Sequence, residues 1–144
     1  AYMVQKKVAM TAGYSKTPLV KKLGIKPGFT VLLVNEPANL RSLLGELPED
    51  VSFVDQSSSP VDYIHFFTKE KTELLAQIGT LKSAIKKDGL LWISWPKKAS
   101  KVPTDVTEAL VRETGLNAGL VDVKICAVDE IWSGLKFVYR LKDR

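Results

Sequence analysis

A chain of 144 residues with 21 lysines and arginines against 16 aspartates and glutamates carries a formal charge of +5 and a pI near 9.3, a mild bias toward acidic partners such as phosphates, nucleotides or nucleic acid. Its length suits one domain burying about two-thirds of its unfolded surface, and its single cysteine, Cys126, and single histidine, His65, exclude an internal disulfide and an ordinary zinc site. No apolar run approaches the roughly 20 residues that span a bilayer, and the start lacks the apolar segment of a secretory signal, so a cytoplasmic protein is expected.

Residues 1–11 show no period and read as an N-terminal arm or an expression remnant, leaving 12–144 as a single α/β domain. Thr17-Pro18 reads as an N-cap with proline at the first helical position, and Gly24 as the stop after Leu19 to Leu23. Lys26-Pro27-Gly28 then turns the chain into a strand over Thr30 to Val34, which ends at Asn35-Glu36-Pro37. Ala38 to Leu44 predicts a short helix closed by Gly45. Val51 to Asp55 and Val61 to Phe67 predict two more strands, with the polar break Gln56 to Pro60 between them. Leu74, Leu75, Ile78, Leu81 and Ile85 recur at helical spacing within 69–87, an amphipathic helix that covers one sheet face.

The run Leu90-Leu91-Trp92-Ile93-Ser94-Trp95, set between a glycine and a proline, predicts a strand buried on both faces that leads directly into Lys97, Lys98 and Lys101. Thr104 then N-caps a helix with Val106, Ala109, Leu110 and Leu116 inward, ended by Gly115 or Gly119. Leu120 to Val128 and Leu135 to Leu141 predict an antiparallel pair whose short connection contains Ser133-Gly134. Strands alternating with helices and closed by a hairpin imply a Rossmann-like three-layer α/β/α sandwich, its sheet parallel except for one strand.

Pro27-Gly28-Phe29-Thr30-Val31-Leu32, Val61-Asp62-Tyr63-Ile64 and the run from Ile85 to Ile93 resemble the first, fourth and fifth strands of class I S-adenosylmethionine-dependent methyltransferases, over about residues 26–141. The resemblance implies a six-stranded sheet of order 2-1-3-4-6-5, numbered along this chain, with strand 6 antiparallel. It also implies an S-adenosylmethionine site in which Asp55 holds the ribose hydroxyls, and Asn35 or Glu36 stands where the family has an acidic residue and a glycine-rich loop. Here Val34 to Asn39 contains no glycine, and Pro37 removes a backbone donor. Gln56 to Pro60 is shorter than the helix and strand that the family inserts there. A second resemblance is to a family of small bacterial proteins known as a domain of unknown function. It rests on Ala12-Gly13-Tyr14-Ser15, Leu23 to Gly28, Trp95-Pro96-Lys97-Lys98-Ala99-Ser100-Lys101 and Val128 to Lys136, and it implies no activity.

In open α/β sheets ligands bind beyond the carboxyl ends of the strands. Lys97, Lys98 and Lys101 with Trp95, Trp132 and Ser133 suit an anion carried on a planar group, through charge, hydrogen bonding and cation–π contact. The leading expectation is therefore a non-catalytic binding protein, without a resident cofactor or metal, for an anionic small molecule, nucleic acid or an acidic protein. The alternatives are a divergent S-adenosylmethionine-dependent methyltransferase using Asn35, Glu36 and Asp55, and an oligomeric scaffold pairing copies through strand five. The plainer reading has the lysines paired with Asp105, Asp129 or Glu130 and the indoles covering the sheet's end. His65, on one face of strand three with Tyr63 and Phe67, reads as a hydrogen-bonded core histidine and Cys126 as a buried thiol, and no catalytic motif is legible.

Overall fold

In chain order the strands are β1 (Thr30–Val34), β2 (Ser52–Val54), β3 (Val61–Phe67), β4 (Ile85–Pro96), β5 (Leu120–Ala127) and β6 (Trp132–Tyr139). The helices are α1 (Leu19–Leu23), α2 (Leu40–Leu44), α3 (Lys71–Ala84) and α4 (Glu108–Asn117). They belong to a computed structural model that describes residues 17–56 and 59–144; the expected arm at 1–11 and the segment Ala12 to Ser15 lie outside the described residues. The sheet order is β2-β1-β3-β4-β6-β5, parallel through β4, with β6 antiparallel to both neighbours, as the methyltransferase resemblance implied.

Alternation along the strands divides the core in two. Ile64 and Phe66 of β3, Leu91 and Ile93 of β4, and Leu135 and Phe137 of β6 pack under Leu74 and Leu81 of α3 and Val111 of α4. On the opposite face Val31, Leu33, Tyr63, Phe67 and Trp92 pack under Val20 and Leu23 of α1 and Leu40 and Leu44 of α2. Trp92 fixes that second layer, because its indole N–H donates to the Leu23 carbonyl at 2.7 Å and so ties α1 to the central strand.

Several local expectations are corrected. Pro18, with ψ 146, stays outside α1 and caps it through its carbonyl, which accepts the amides of Lys21 and Lys22; proline is not the first helical residue. The predicted helix at 69–87 ends at Ala84, because Ile85 is extended and pairs with Val61, satisfying its backbone within the sheet. Leu75 is exposed: Leu74, Ile78 and Leu81 already form the inward stripe, and Leu75 falls outside it. Thr107, not Thr104, caps α4 by accepting the Leu110 amide at 3.1 Å, while Thr104 donates to the Lys69 carbonyl. The inward residues of α4 are then Val111, Thr114 and Gly115, with Ala109 and Leu116 exposed, and Gly119 follows the helix end at φ 92.

The last correction concerns Ser133 and Gly134, which lie inside β6 rather than in a turn. The reversal occurs at Val128 to Ile131, where Asp129 Oδ1 accepts the amides of Ile131 and Trp132 at 2.8 and 2.7 Å. Gly134 is a glycine for another reason. A Cβ there would meet Ser94 Oγ at 2.8 Å and the Trp92 ring at 3.0 Å, so the close approach of β4 and β6 excludes a side chain.

Candidate functional site

The chain leaves β1 outward to α2 and β2, then crosses back to β3 on the other side of β1, so the carboxyl ends of β1 and β3 diverge. Ligand crevices form at such a switch point. A cleft of about 530 Å³ lies there, lined among others by Asn35, Phe67, Thr68, Glu70, Glu73 and Trp132.

Asn35 ends β1 in the left-handed region at φ 59, a conformation that asparagine tolerates better than most side chains. Its amide donates to the Phe67 carbonyl at 3.2 Å and to Glu73 Oε2 at 3.1 Å, bridging β1, β3 and the first turn of α3. The buried Thr68 donates to Glu73 Oε1 at 2.6 Å, and its own amide is held by the Ser94 carbonyl at 3.0 Å. Each oxygen of the Glu73 carboxylate is thus gripped by a neutral donor, at a helix start where negative charge is favoured.

Beneath the cleft the Phe67 ring stacks on His65, with centroids 4.2 Å apart, and meets Trp132 edge-on at 5.2 Å. His65 is fully buried, with Nδ1 3.1 Å from the Tyr63 hydroxyl and Nε2 2.7 Å from Ser94 Oγ. Burial pushes its pKa down to about 3 and that of Tyr63 well up, so both rings are neutral. The core reading of His65 holds, and it supports the cleft floor without reaching the cleft.

Of the residues implied for a cofactor, Asn35 lines this cleft. Glu36 turns instead to Arg41, at 3.4 Å, whose guanidinium lies 4.3 Å over the Phe53 ring. Asp55 is exposed beyond the end of β2, one strand further out. Between Val54 and Val61 the described residues contain neither the helix nor the strand that the family resemblance would insert.

The lysine segment borders the cleft through Val102. Lys97 donates its amide to the Ile131 carbonyl at 2.7 Å, and a single 3-10 turn over Lys98–Ser100 follows, with Lys101 at φ 63. Thr104 and Asp105 fasten this loop to the start of α3 by bonds to the Lys69 carbonyl and the Lys71 amide. Lys69 and Lys71 therefore join Lys97, Lys98 and Lys101 on one edge, and none of the five makes an ion pair among the described residues. The indoles do not join them as expected. Trp95 is 5% exposed in the layer under α3 and α4, and Trp132 is 8% exposed in the layer under α1 and α2, so they do not bracket one planar group. Ser133, half-buried, lies opposite Trp95 in the ladder.

Glu70 and Glu73 are site residues that reasoning from sequence missed. A signal for them is present: two acids among the first residues beyond a strand's carboxyl end, at the start of the following helix. Among the described residues no three His, Cys, Asp or Glu side chains converge as metal ligands would.

No family model matches this chain, and no curated protein matches it. Solved structures do. An S-adenosylmethionine-dependent methyltransferase from Aquifex aeolicus is 22% identical, with a TM-score of 0.61 over 83% of this chain and 86% of its own. The chain has a methyltransferase-like fold. Magnesium protoporphyrin IX methyltransferase from Synechocystis, solved with bound S-adenosylmethionine, aligns at 12% identity and a TM-score of 0.57 over 85% of this chain and 74% of its own. A Haloferax volcanii methyltransferase in complex with the Trm112 methyltransferase activator aligns at 13% and 0.57, over 83% and 86%. At these identities the methyltransferase-like fold is what the chain shares with them. No helix among the described residues is long and apolar enough to cross a membrane.

Proposed function

We propose that the chain binds S-adenosylmethionine in the cleft between the ends of β1 and β3 and directs its methyl group to an anionic acceptor. The observation that carries this reading is the Glu73 carboxylate, gripped by Asn35 and Thr68 at the switch point of a methyltransferase-like sheet. The donor set fits a molecule bearing an ammonium and a sulfonium. A carboxylate offers about four acceptor positions, and among the described residues Asn35 and Thr68 occupy one on each oxygen, so an ammonium can bind without releasing either. Glu70, exposed at the rim, adds a second negative charge. Asn35 in the left-handed region gives the strand end the sharp turn that a glycine would otherwise supply, and Asp55 is exposed to solvent, open to ribose hydroxyls. When bound, the cofactor supplies an electrophilic methyl group; this chain's residues hold and orient it.

The acceptor side of the reading is the basic rim. Val102 and Trp132 line the cleft, Lys97, Lys98 and Lys101 precede the first and Ser133 follows the second in sequence, and the three lysines make no ion pair among the described residues, which favours a phosphate-bearing or otherwise acidic acceptor. Calorimetric titration with S-adenosylmethionine should give a saturable one-to-one curve. Glu73→Gln should weaken it about tenfold or more, the loss of one hydrogen bond to a charged group. Silence with both S-adenosylmethionine and its demethylated product would remove the reading.

A further inference from the structure

A second group of lysines lies on the face that α1 covers. Lys124 of β5 stands directly opposite Lys136 of β6, and Lys136 is also the ladder neighbour of Trp92 of β4, its ammonium 5.9 Å from the Trp92 ring centroid. Like charges directly opposite each other across a ladder destabilise it. Lys26, just beyond α1, adds to the same field: the Lys136 ammonium is held below its ordinary range by burial first and then by Lys124 and Lys26. No ion pair among the described residues neutralises any of the three.

The scaffold beneath them is fixed. The Lys124 ammonium bonds the Lys22 carbonyl at 3.3 Å, and the Trp92 indole bonds the neighbouring Leu23 carbonyl at 2.7 Å, so the end of α1 is tied to β4 and β5 at the point where the lysines meet. Each ammonium has three donors, and Lys124 uses one on Lys22. The remaining donors, on two like charges opposed across the ladder, are what an oxyanion recruits.

We propose that Lys124 and Lys136 form the core of a phosphate-binding site, separate from the carboxyl-edge cleft. Trp92 lies mid-strand, five residues before Lys97, a separation of about 16 Å along an extended chain. The ligand is a phosphate group, either free or carried by a nucleotide. Binding relieves the repulsion between Lys124 and Lys136 and turns an unfavourable cross-strand pair into a favourable one.

The test follows the Trp92 indole N–H by NMR while inorganic phosphate, pyrophosphate, a nucleoside monophosphate or a short single-stranded oligonucleotide is added. A saturable shift is expected with at least one of them. Lys136→Met and Lys124→Met should each weaken it about tenfold or more, while Lys87→Met, which removes an equal charge from an exposed position elsewhere, should leave it unchanged. The probe that binds most tightly tells a free phosphate from a nucleotide or nucleic-acid one. No saturable shift with any probe, or equal weakening by Lys87→Met, overturns the proposal, the second result reducing it to general charge attraction.

Discussion

His65 lies between the Tyr63 hydroxyl and Ser94 Oγ with no exposed surface, a setting that gives the protein a pH dependence rather than a catalytic histidine. A neutral imidazole donates at one nitrogen and accepts at the other, which the two hydroxyls satisfy. Protonation would strand a charge away from water, hence a folded pKa of about 3 against an ordinary 6.5. Below pH 6.5 the unfolded chain takes up a proton that the folded chain refuses until about pH 3, so stability is greatest above that window and falls as pH drops through it. Between pH 7.5 and 5 the loss from this group is about 2 kcal/mol. Urea unfolding at the two pH values should show it. His65→Phe should lower stability at pH 7.5 by about 1–3 kcal/mol, by leaving buried hydroxyls unpartnered, yet flatten the pH dependence; an undiminished acid loss in that variant would assign the effect to other groups.

At the scale of single elements, two glycines probe the packing from opposite directions. Gly115 is buried within α4, and a Cβ there would clash with the edge of the Phe137 ring, which is itself fully buried. Gly79 sits exposed within α3 with nothing within 4 Å of the same position. Alanine is the better helix former by about 1 kcal/mol at either site. Gly79→Ala should therefore stabilise the fold by about 0.5–1 kcal/mol, and Gly115→Ala should destabilise it by about 1–3 kcal/mol because the Phe137 ring must be displaced. Chemical denaturation of the pair measures both, and a stabilised Gly115→Ala would show that α4 has room to move away from β6. The same contrast explains which elements are legible in the sequence. β1 and β3 are, because β-branched and aromatic runs between turn residues have one interpretation. Gly115 and Gly134 resemble a stop and a turn because local sequence cannot distinguish a glycine that bends the chain from one that admits a neighbour's ring. Ile85 matches the helical period of α3 by spacing alone, and only its pairing with Val61 makes it a strand residue.

For the whole molecule, the three-layer sandwich with one antiparallel strand is legible from the alternation of elements and the closing hairpin, whereas the order of strands comes only from the methyltransferase resemblance; that order brings Asn35, Thr68, Lys69 and the lysine segment to one edge. Face is not legible in the same way. Trp132 pairs with Pro96 and Trp95 with Ser133, and this offset of one residue sends the two indoles to opposite sides of the sheet. The acids of α3 are hidden for a related reason: Glu73 is ordinary helix surface until the return of β3 beside β1 aims it at Asn35. The loop that carries Lys97, Lys98 and Lys101 depends on neither correction, since Thr104 and Asp105 fasten it to the start of α3 by bonds that do not involve the lysine side chains. If it receives an acidic acceptor, Lys97→Ala with Lys98→Ala should weaken binding of a labelled single-stranded oligonucleotide and reduce the slope of log affinity against log salt by about 1–2, because each phosphate left without its lysine keeps its counterion. Thermal stability should hardly change, because half-buried Lys97 and exposed Lys98 make no ion pair among the described residues and so contribute little to it. Equal affinity and equal slope in the double variant would remove these lysines from the acceptor surface while leaving the Glu73 cleft, whose test is independent of them, untouched.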